Sequence, residues 1–313
     1  MAFSSLRTIL SHGVIVDTSN RGVFAGGYDA SDRTNSIDYI NISSTGNASD
    51  FGDLSVTRNS LGACSNGTSD RGIFGGGTTG SNSNVIDYIT ISTTGDASDF
   101  GNLTVSRRGV RATSDGTDNR GVFAGGNLGA SRSDTMDYIT ISSTGDASDF
   151  GNLGEGKYAV GATSNATGDR GVFGGGYVGS NTNVIDYITI SSTGDTTNFG
   201  DLTEARRELA ACSNGTSNRG VFGGGKTAGY SDTMDYITIS STGDATDFGN
   251  LIAGRESLDS TSSGTSNRGV FAGGWLGSIS DSIDYITISS TGDASDFGDL
   301  SAGRYSFGAT SNS

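Results

Sequence analysis

An all-β chain built as a ring of repeated sheets is predicted by three observations. The stretch Arg21-Gly-Val-Phe-Ala-Gly-Gly27 returns five more times, from Arg71, Arg120, Arg170, Arg219 and Arg268, at steps of 50, 49, 50, 49 and 49 residues. Each repeat holds four short runs of apolar, β-branched or aromatic residues separated by turn formers. No window sustains a 3.6-residue apolar period, so helix is not expected. Four strands per unit of about 49 residues is the signature of a propeller blade. The expectation is one six-bladed β-propeller of four antiparallel strands per blade, spanning residues 1–313 as a single domain.

Strand A is the run Ser60-Leu-Gly-Ala-Cys-Ser65, followed by an Asn-Gly-Thr-Ser type turn. Strand B is Arg71 to Gly77; its glycine doublet marks a close backbone approach or a turn through positive φ. Strand C, Ile86-Asp-Tyr-Ile-Thr-Ile91, is apolar on both faces, as a strand between neighbouring sheets must be. A Thr-Gly turn and Asp-Ala-Ser-Asp lead into strand D, Phe100-Gly-Asn-Leu-Thr-Val105. The recurring Tyr39, Tyr88, Tyr138, Tyr187, Tyr236 and Tyr285, with Phe51, Phe100, Phe150, Phe199, Phe248 and Phe297, read as core.

Closure of the ring has two candidate solutions, because strand A has one copy too many. The C-terminal copy, residues 305–313, follows the internal pattern better than Ser11-His-Gly-Val-Ile-Val16 and is favoured as the closing strand. Residues 1–20 would then be an N-terminal arm; in the alternative they supply the first strand.

A formal charge of −15, from 34 acids and 19 bases, argues against nucleic acid as a partner. No basic leader with an apolar core and no run of 18 apolar residues is visible, so neither a signal peptide nor membrane insertion is expected. Cys64 and Cys212 occupy equivalent places, where other repeats have Thr113, Thr163 and Thr261. Those repeats oppose each other across a six-fold ring, too far apart for a disulfide, so two free and partly buried thiols are expected.

The recurrent order of motifs resembles the kelch-repeat β-propeller family over nearly the whole chain. That family shows an apolar run ending in Gly-Gly, a tyrosine in the third strand, a tryptophan in the fourth and an arginine before the next repeat. Here Phe51 and its equivalents stand at the tryptophan place; Arg58, Arg107, Lys157, Arg206, Arg255 and Arg304 stand near the arginine place. Phrases such as Asp-Tyr-Ile-Thr-Ile-Ser-Ser-Thr-Gly-Asp also resemble kelch-like structural proteins of tailed, particularly marine, bacteriophages. The resemblance implies a virion or extracellular surface location, with other virion proteins among the partners.

Catalysis is not expected. The one histidine, His12, cannot build a His-based metal site or a Ser-His-Asp arrangement, and the His-rich copper environment of the kelch-type galactose oxidases has no counterpart. Only four glutamates exist, Glu155, Glu204, Glu208 and Glu256, against the Tyr-Glu pair and arginine cluster of sialidase propellers. An axial enzyme site would need a polar cluster that breaks the repeat pattern on strand A, and none is expected. The turn Thr94-Gly-Asp-Ala-Ser-Asp99 has a spacing that could chelate calcium, but Asp and Ser form such turns without an ion, so no cofactor is expected.

Strand alternation puts the A–B and C–D turns on one rim and the B–C and D–A loops on the other. The turn rim collects Asp96, Asp99, Asp115, Asp118, Asp146, Asp149, Asp195, Asp244, Asp247, Asp293 and Asp296, facing only the strand-B arginines; the loop rim collects Arg33, Arg58, Arg107, Arg108, Arg132, Lys157, Arg206, Arg207, Lys226, Arg255 and Arg304. An acidic and a basic face are expected. Asp38, Asp87, Asp137, Asp186, Asp235 and Asp284 open strand C near the Arg58-type cations, which points to a structural ion-pair ring, with anion binding as the competing use.

Variation concentrates just after the glycine doublet, at Tyr28, Thr78, Asn127, Tyr177, Lys226 and Trp275. Large amphipathic rings on rigid supports are usual anchors for glycans and proteins. Tyr28, Tyr177, Lys226, Tyr230, Trp275, Arg33 and Arg132 are therefore the candidate binding residues of a recognition or assembly module for a protein or glycan, with a purely structural scaffold as the alternative.

Overall fold

The computed structural model describes residues 7–9, 15–17, 20–66, 70–114, 119–165, 169–214, 218–263 and 266–312. His12, Asp115, Asp118 and the central residues of most A–B turns lie outside them, as do the side chains of the N-terminal segment. The described residues form six four-stranded antiparallel sheets and one separate two-stranded ladder, Arg7–Ile9 with Ile15–Asp17; none is helical. In blades 1 to 6, strand A is Gly308–Ser311, Gly62–Asn66, Arg111–Ser114, Gly161–Asn165, Ala210–Asn214 and Asp259–Ser263. Strand B is Arg21–Ala25, Arg71–Gly75, Arg120–Ala124, Arg170–Gly174, Arg219–Gly223 and Arg268–Ala272. Strand C is Ser36–Asn41, Val85–Thr90, Thr135–Thr140, Val184–Thr189, Thr233–Thr238 and Ser282–Thr287. Strand D is Ser49–Asp53, Ser98–Asn102, Ser148–Asn152, Thr197–Asp201, Thr246–Asn250 and Ser295–Asp299.

Blade 1 takes its strand A from the C-terminal segment: Gly308 pairs with Ala25, Ala309 with Phe24, Thr310 with Val23 and Ser311 with Gly22. Of the Ser11–Val16 copy only Ile15 and Val16 are described; they join no blade and pair with Ile9 and Thr8.

The core lies between blades, since each sheet is apolar on both faces. Cys64, Ile73, Ile86 and Phe100 of blade 2 pack against Ala112, Phe123, Ile139 and Ile141 of blade 3. A β-bulge explains the invariant Phe-Gly of strand D: Ile86 pairs with Gly101 and Asp87 with Asp99, so Phe100 is the extra residue, turned inward and 2% exposed. Gly101 then sits at φ +145, where a Cβ would stand 2.4 Å from the carbonyl oxygen of Gly145 in the next blade. The first glycine of the doublet is equally constrained: Gly76 has φ +69 and faces the Arg107 carbonyl, which accepts the N–H of Gly77 at 2.9 Å.

The tyrosines of strand C pack against the core, as expected, but at its margin. They are half-buried, each edge-on to a bulge phenylalanine, as with Tyr39 and Phe51 at 6.0 Å between ring centres. Their outer faces carry the strand-B arginines, 4.5 Å above Tyr88 for Arg71 and 4.2 Å above Tyr236 for Arg219. The same guanidinium donates to the next blade: Arg71 to Ile141 O and Arg268 to Ile42 O, both at 3.1 Å. Cys64 and Cys212 are buried and free, seated where a Cβ on Gly121 or Gly269 of the following blade would collide with sulfur.

Candidate functional site

The loop rim is organised from beneath by the cations that precede each strand A. Arg58 reaches Asp87, Arg107 Asp137, Lys157 Asp186, Arg206 Asp235, Arg255 Asp284 and Arg304 Asp38, at 2.5 to 3.0 Å. All six cations are at most 1% exposed. Arg58 also donates to the carbonyls of Phe74 and Val85, tying the D–A loop to strands B and C of the following blade. Burial pushes the Arg58, Arg107 and Arg255 pKa values down and those of Asp235 and Asp284 up, while the partners pull them back.

The expected basic face is therefore corrected. Six of its cations are internal and neutralised, leaving Arg33, Arg108, Arg132, Arg207 and Lys226 amid Asp29, Asp32, Asp134, Glu155, Glu204, Glu208, Asp232, Glu256 and Asp281. On the opposite rim, Asp96 Oδ1 accepts the Asp53 N–H at 3.0 Å, and Asp146, Asp195, Asp244 and Asp293 repeat that clasp on the preceding blade. The sixth place is Asn47, whose amide oxygen accepts from Asp299 at 3.1 Å. An amide serves in place of a carboxylate, so the clasp works without an ion. Among the described residues no group of three or more His, Cys, Asp or Glu is placed to hold a metal.

The variable residue after each glycine doublet is held by two backbone pairings. Trp275 exchanges hydrogen bonds with Glu256 at 2.8 and 3.0 Å and bridges Ile279 within its own loop; Tyr28 does the same with Tyr305 and Arg33. These supports carry a continuous aromatic arc over blades 5, 6 and 1. Lys226 Nζ lies 3.9 Å from the Tyr230 ring centre, and Trp275 Nε1 donates to the Tyr230 hydroxyl at 3.0 Å. Trp275 meets Tyr305 edge-on at 5.7 Å, Tyr305 meets Tyr28 at 5.5 Å, and Arg33 stands 5.9 Å from Tyr28. Tyr177 belongs to a second group, 5.4 Å from Tyr158 and under Arg207 at 5.2 Å. Arg132 is exposed and faces Gly179 of the Tyr177 loop.

Beside Trp275 a pocket of about 280 Å³ is lined by Glu208, Glu256, Ser257, Tyr305 and Ser306. Glu256 is 3.7 Å from Lys226, and Glu208 accepts the Ser257 hydroxyl at 2.7 Å. Burial and the neighbouring Glu208 hold Glu256 above the usual carboxylate range, against the pull of Lys226 and Arg207. Sequence reasoning missed Tyr158, Tyr305, Glu208 and Glu256. The signal was there: the residue after each ion-pair cation varies as Asn59, Arg108, Tyr158, Arg207, Glu256 and Tyr305.

The pocket opens on the axis, where Ser60, Gly109, Ala159, Glu208, Ser257 and Ser306 form a closed backbone ring. Each N–H donates to the equivalent carbonyl of the preceding member at 2.6 to 3.0 Å, with every residue at positive φ. A second ring closes deeper along strand A, where the hydroxyls of Ser65, Ser114, Ser164, Ser213, Ser262 and Ser311 each donate to the preceding serine carbonyl. Between them strand A does break its pattern, contrary to the sequence expectation. Arg111 and Asp259 stand where the other blades have Gly62, Gly161, Ala210 and Gly308, and Ser260 replaces an alanine.

No protein-family model and no curated protein matches the chain. The fold itself defines the class: a six-bladed β-propeller with four-stranded blades, an architecture compatible with a binding or scaffold role.

Proposed function

We propose that the chain is a non-enzymatic recognition module that binds glycan through its loop rim. The contact face follows from every exposed large apolar side chain among the described residues, Val56, Val105, Leu128, Tyr230, Ile252 and Leu276, lying on that rim; one observation on it carries the glycan reading. Within it, the Trp275 pocket pairs aromatic edges and faces with planar carboxylates and hydroxyls, the combination that stacks on sugar C–H faces and hydrogen-bonds vicinal hydroxyls. The resemblance to phage structural proteins supports a place on a virion, where such a disc would contact a host surface polysaccharide. A protein partner is the second reading, favoured by Val56, Val105 and Ile252, which lie outside the aromatic arc.

The test is binding of the purified protein to an array of immobilised bacterial oligosaccharides. Trp275→Ala with Tyr177→Ala is expected to weaken capture at least about tenfold, or about 1.4 kcal/mol, with melting unchanged. Loss of capture by Asp96→Asn with Asp146→Asn, while the aromatic double variant still binds, would place the functional face on the opposite rim. Absence of any captured sugar would favour the protein reading.

A further inference from the structure

The axis holds two opposite charges that the repeat does not require. Arg111 belongs to blade 3 and Asp259 to blade 6, diametrically placed in a six-bladed ring, and they are 7% and 8% exposed. Four blades fold with glycine or alanine at this place, so neither charge is needed to build strand A. Burying an unneeded ion is costly unless something pairs with it. The two attract each other across the cavity, which offsets part of the cost, but they do not touch: among the described residues no ion pair joins them. Arg111 Nη1 donates to the Leu61 carbonyl at 3.2 Å, and the Asp259 carboxylate accepts the N–H groups of Ser260 at 2.9 Å and Ala309 at 3.1 Å.

Both charges line one inner cavity of about 120 Å³, and Arg111 also lines the axial mouth above it, of about 150 Å³. The cavity collects polar atoms that no protein group satisfies: Arg111 Nε and the hydroxyls of Thr113, Ser260 and Thr261. A donor-rich end at Arg111, an acceptor at Asp259 and adaptable hydroxyls around them complement a small molecule that carries both charges.

We propose that the axial cavity binds a small zwitterion of the amino-acid class, its carboxylate directed to Arg111 and its ammonium to Asp259. Two fixed charges lining one cavity from opposite blades discriminate by requiring both partners. A lone anion meets Asp259 and a lone cation meets Arg111, each at a cost. The charges of this site are not those of the glycan reading and Trp275 takes no part in it, although its mouth shares Glu208, Ser257 and Ser306 with the Trp275 pocket.

Thermal melting and titration calorimetry with glycine and L-alanine, against acetate and methylammonium at matched ionic strength, test the proposal. A zwitterion is expected to raise the melting temperature with increasing concentration, as a native-state ligand must, while the singly charged probes do not. Arg111→Ala and Asp259→Ala restore a residue type that Ala210 already carries and should remain folded, yet lose the response. Ser260→Ala should weaken it, and Trp275→Ala should leave it intact. No shift with either zwitterion at 10 mM, on the order of ten times a millimolar Kd, would overturn the proposal. So would an equal shift with acetate, or a response that survives both charge variants.

Discussion

Arg304 and Asp38, 266 residues apart in the chain, meet at 2.7 Å with both side chains at most 2% exposed. An equivalent cation–aspartate pair stands at each of the five remaining junctions, with Lys157 in place of arginine at one, between residues 29 apart in the case of Arg58 and Asp87. Breaking a buried pair strands the remaining charge and typically costs about 3–5 kcal/mol. Arg304→Ala is expected to cost this much in urea denaturation, and Arg58→Ala the same within about 1 kcal/mol. A much milder effect at Arg304 would mean that the junction joining the two ends of the chain is not closed in solution. Replacing both partners, Arg304→Met with Asp38→Leu, should recover most of the loss.

Removal of residues 305–313 takes away strand A of blade 1 and leaves Val23 and Phe24 paired on the strand C side alone. Melting should fall sharply and broaden. Removal of residues 1–16 touches no blade strand and should leave the transition in place. The opposite ranking in a calorimetric comparison would reject C-terminal closure.

Gly101→Ala places a Cβ against a backbone carbonyl of the next blade in a backbone region that L-residues avoid. The expected loss is at least about 2 kcal/mol, from strain plus displacement of the neighbour. Gly95→Ala has a comparable φ of +155 but open space around it, so it should cost clearly less. Equal losses would show that conformational strain alone, and not the contact between blades, fixes the Phe-Gly motif.

Burial holds the Asp259 carboxyl above the ordinary carboxylate range, opposed by Arg111 and by the N–H groups of Ser260 and Ala309. The native state therefore binds more protons than the unfolded chain between the two pKa values. The contribution of this group is fully present below the unfolded value of about 4 and is lost as pH rises through the folded value. In urea midpoints measured from pH 4 to 8, the stability of Asp259→Asn relative to the parent should rise with pH and then level off. Parallel curves would remove Asp259 from the titrating groups.

The repeat made most of the fold legible, because spacing, strand patterning and glycine placement are short-range properties repeated six times. The ion-pair residues could be named because a half-buried carboxylate at each strand C needs a donor, and the cations lay on the same rim. Their consequence for surface charge could not be seen, since burial depends on how Arg58 folds under the next blade's Phe74 and Val85 carbonyls. The bulge at Phe100 was hidden because a single extra residue leaves no mark in a pattern read along one strand. Tyr305 was assigned to the closing strand on sequence order; its stacking on Tyr28 arises only when the two ends of the chain meet. Arg111 and Asp259 were passed over although both depart from the strand A pattern, and their opposition across an axis is a property of the closed ring.

Asn312 and Arg21 exchange hydrogen bonds at 3.0 and 3.3 Å, so the described chain joins and leaves the ring side by side on the turn rim. Trp275 and its neighbours look out from the other side of the disc. Both connections to the ring therefore lie on its back, and the face that carries the aromatic arc is left unobstructed by either, like the face of a dial.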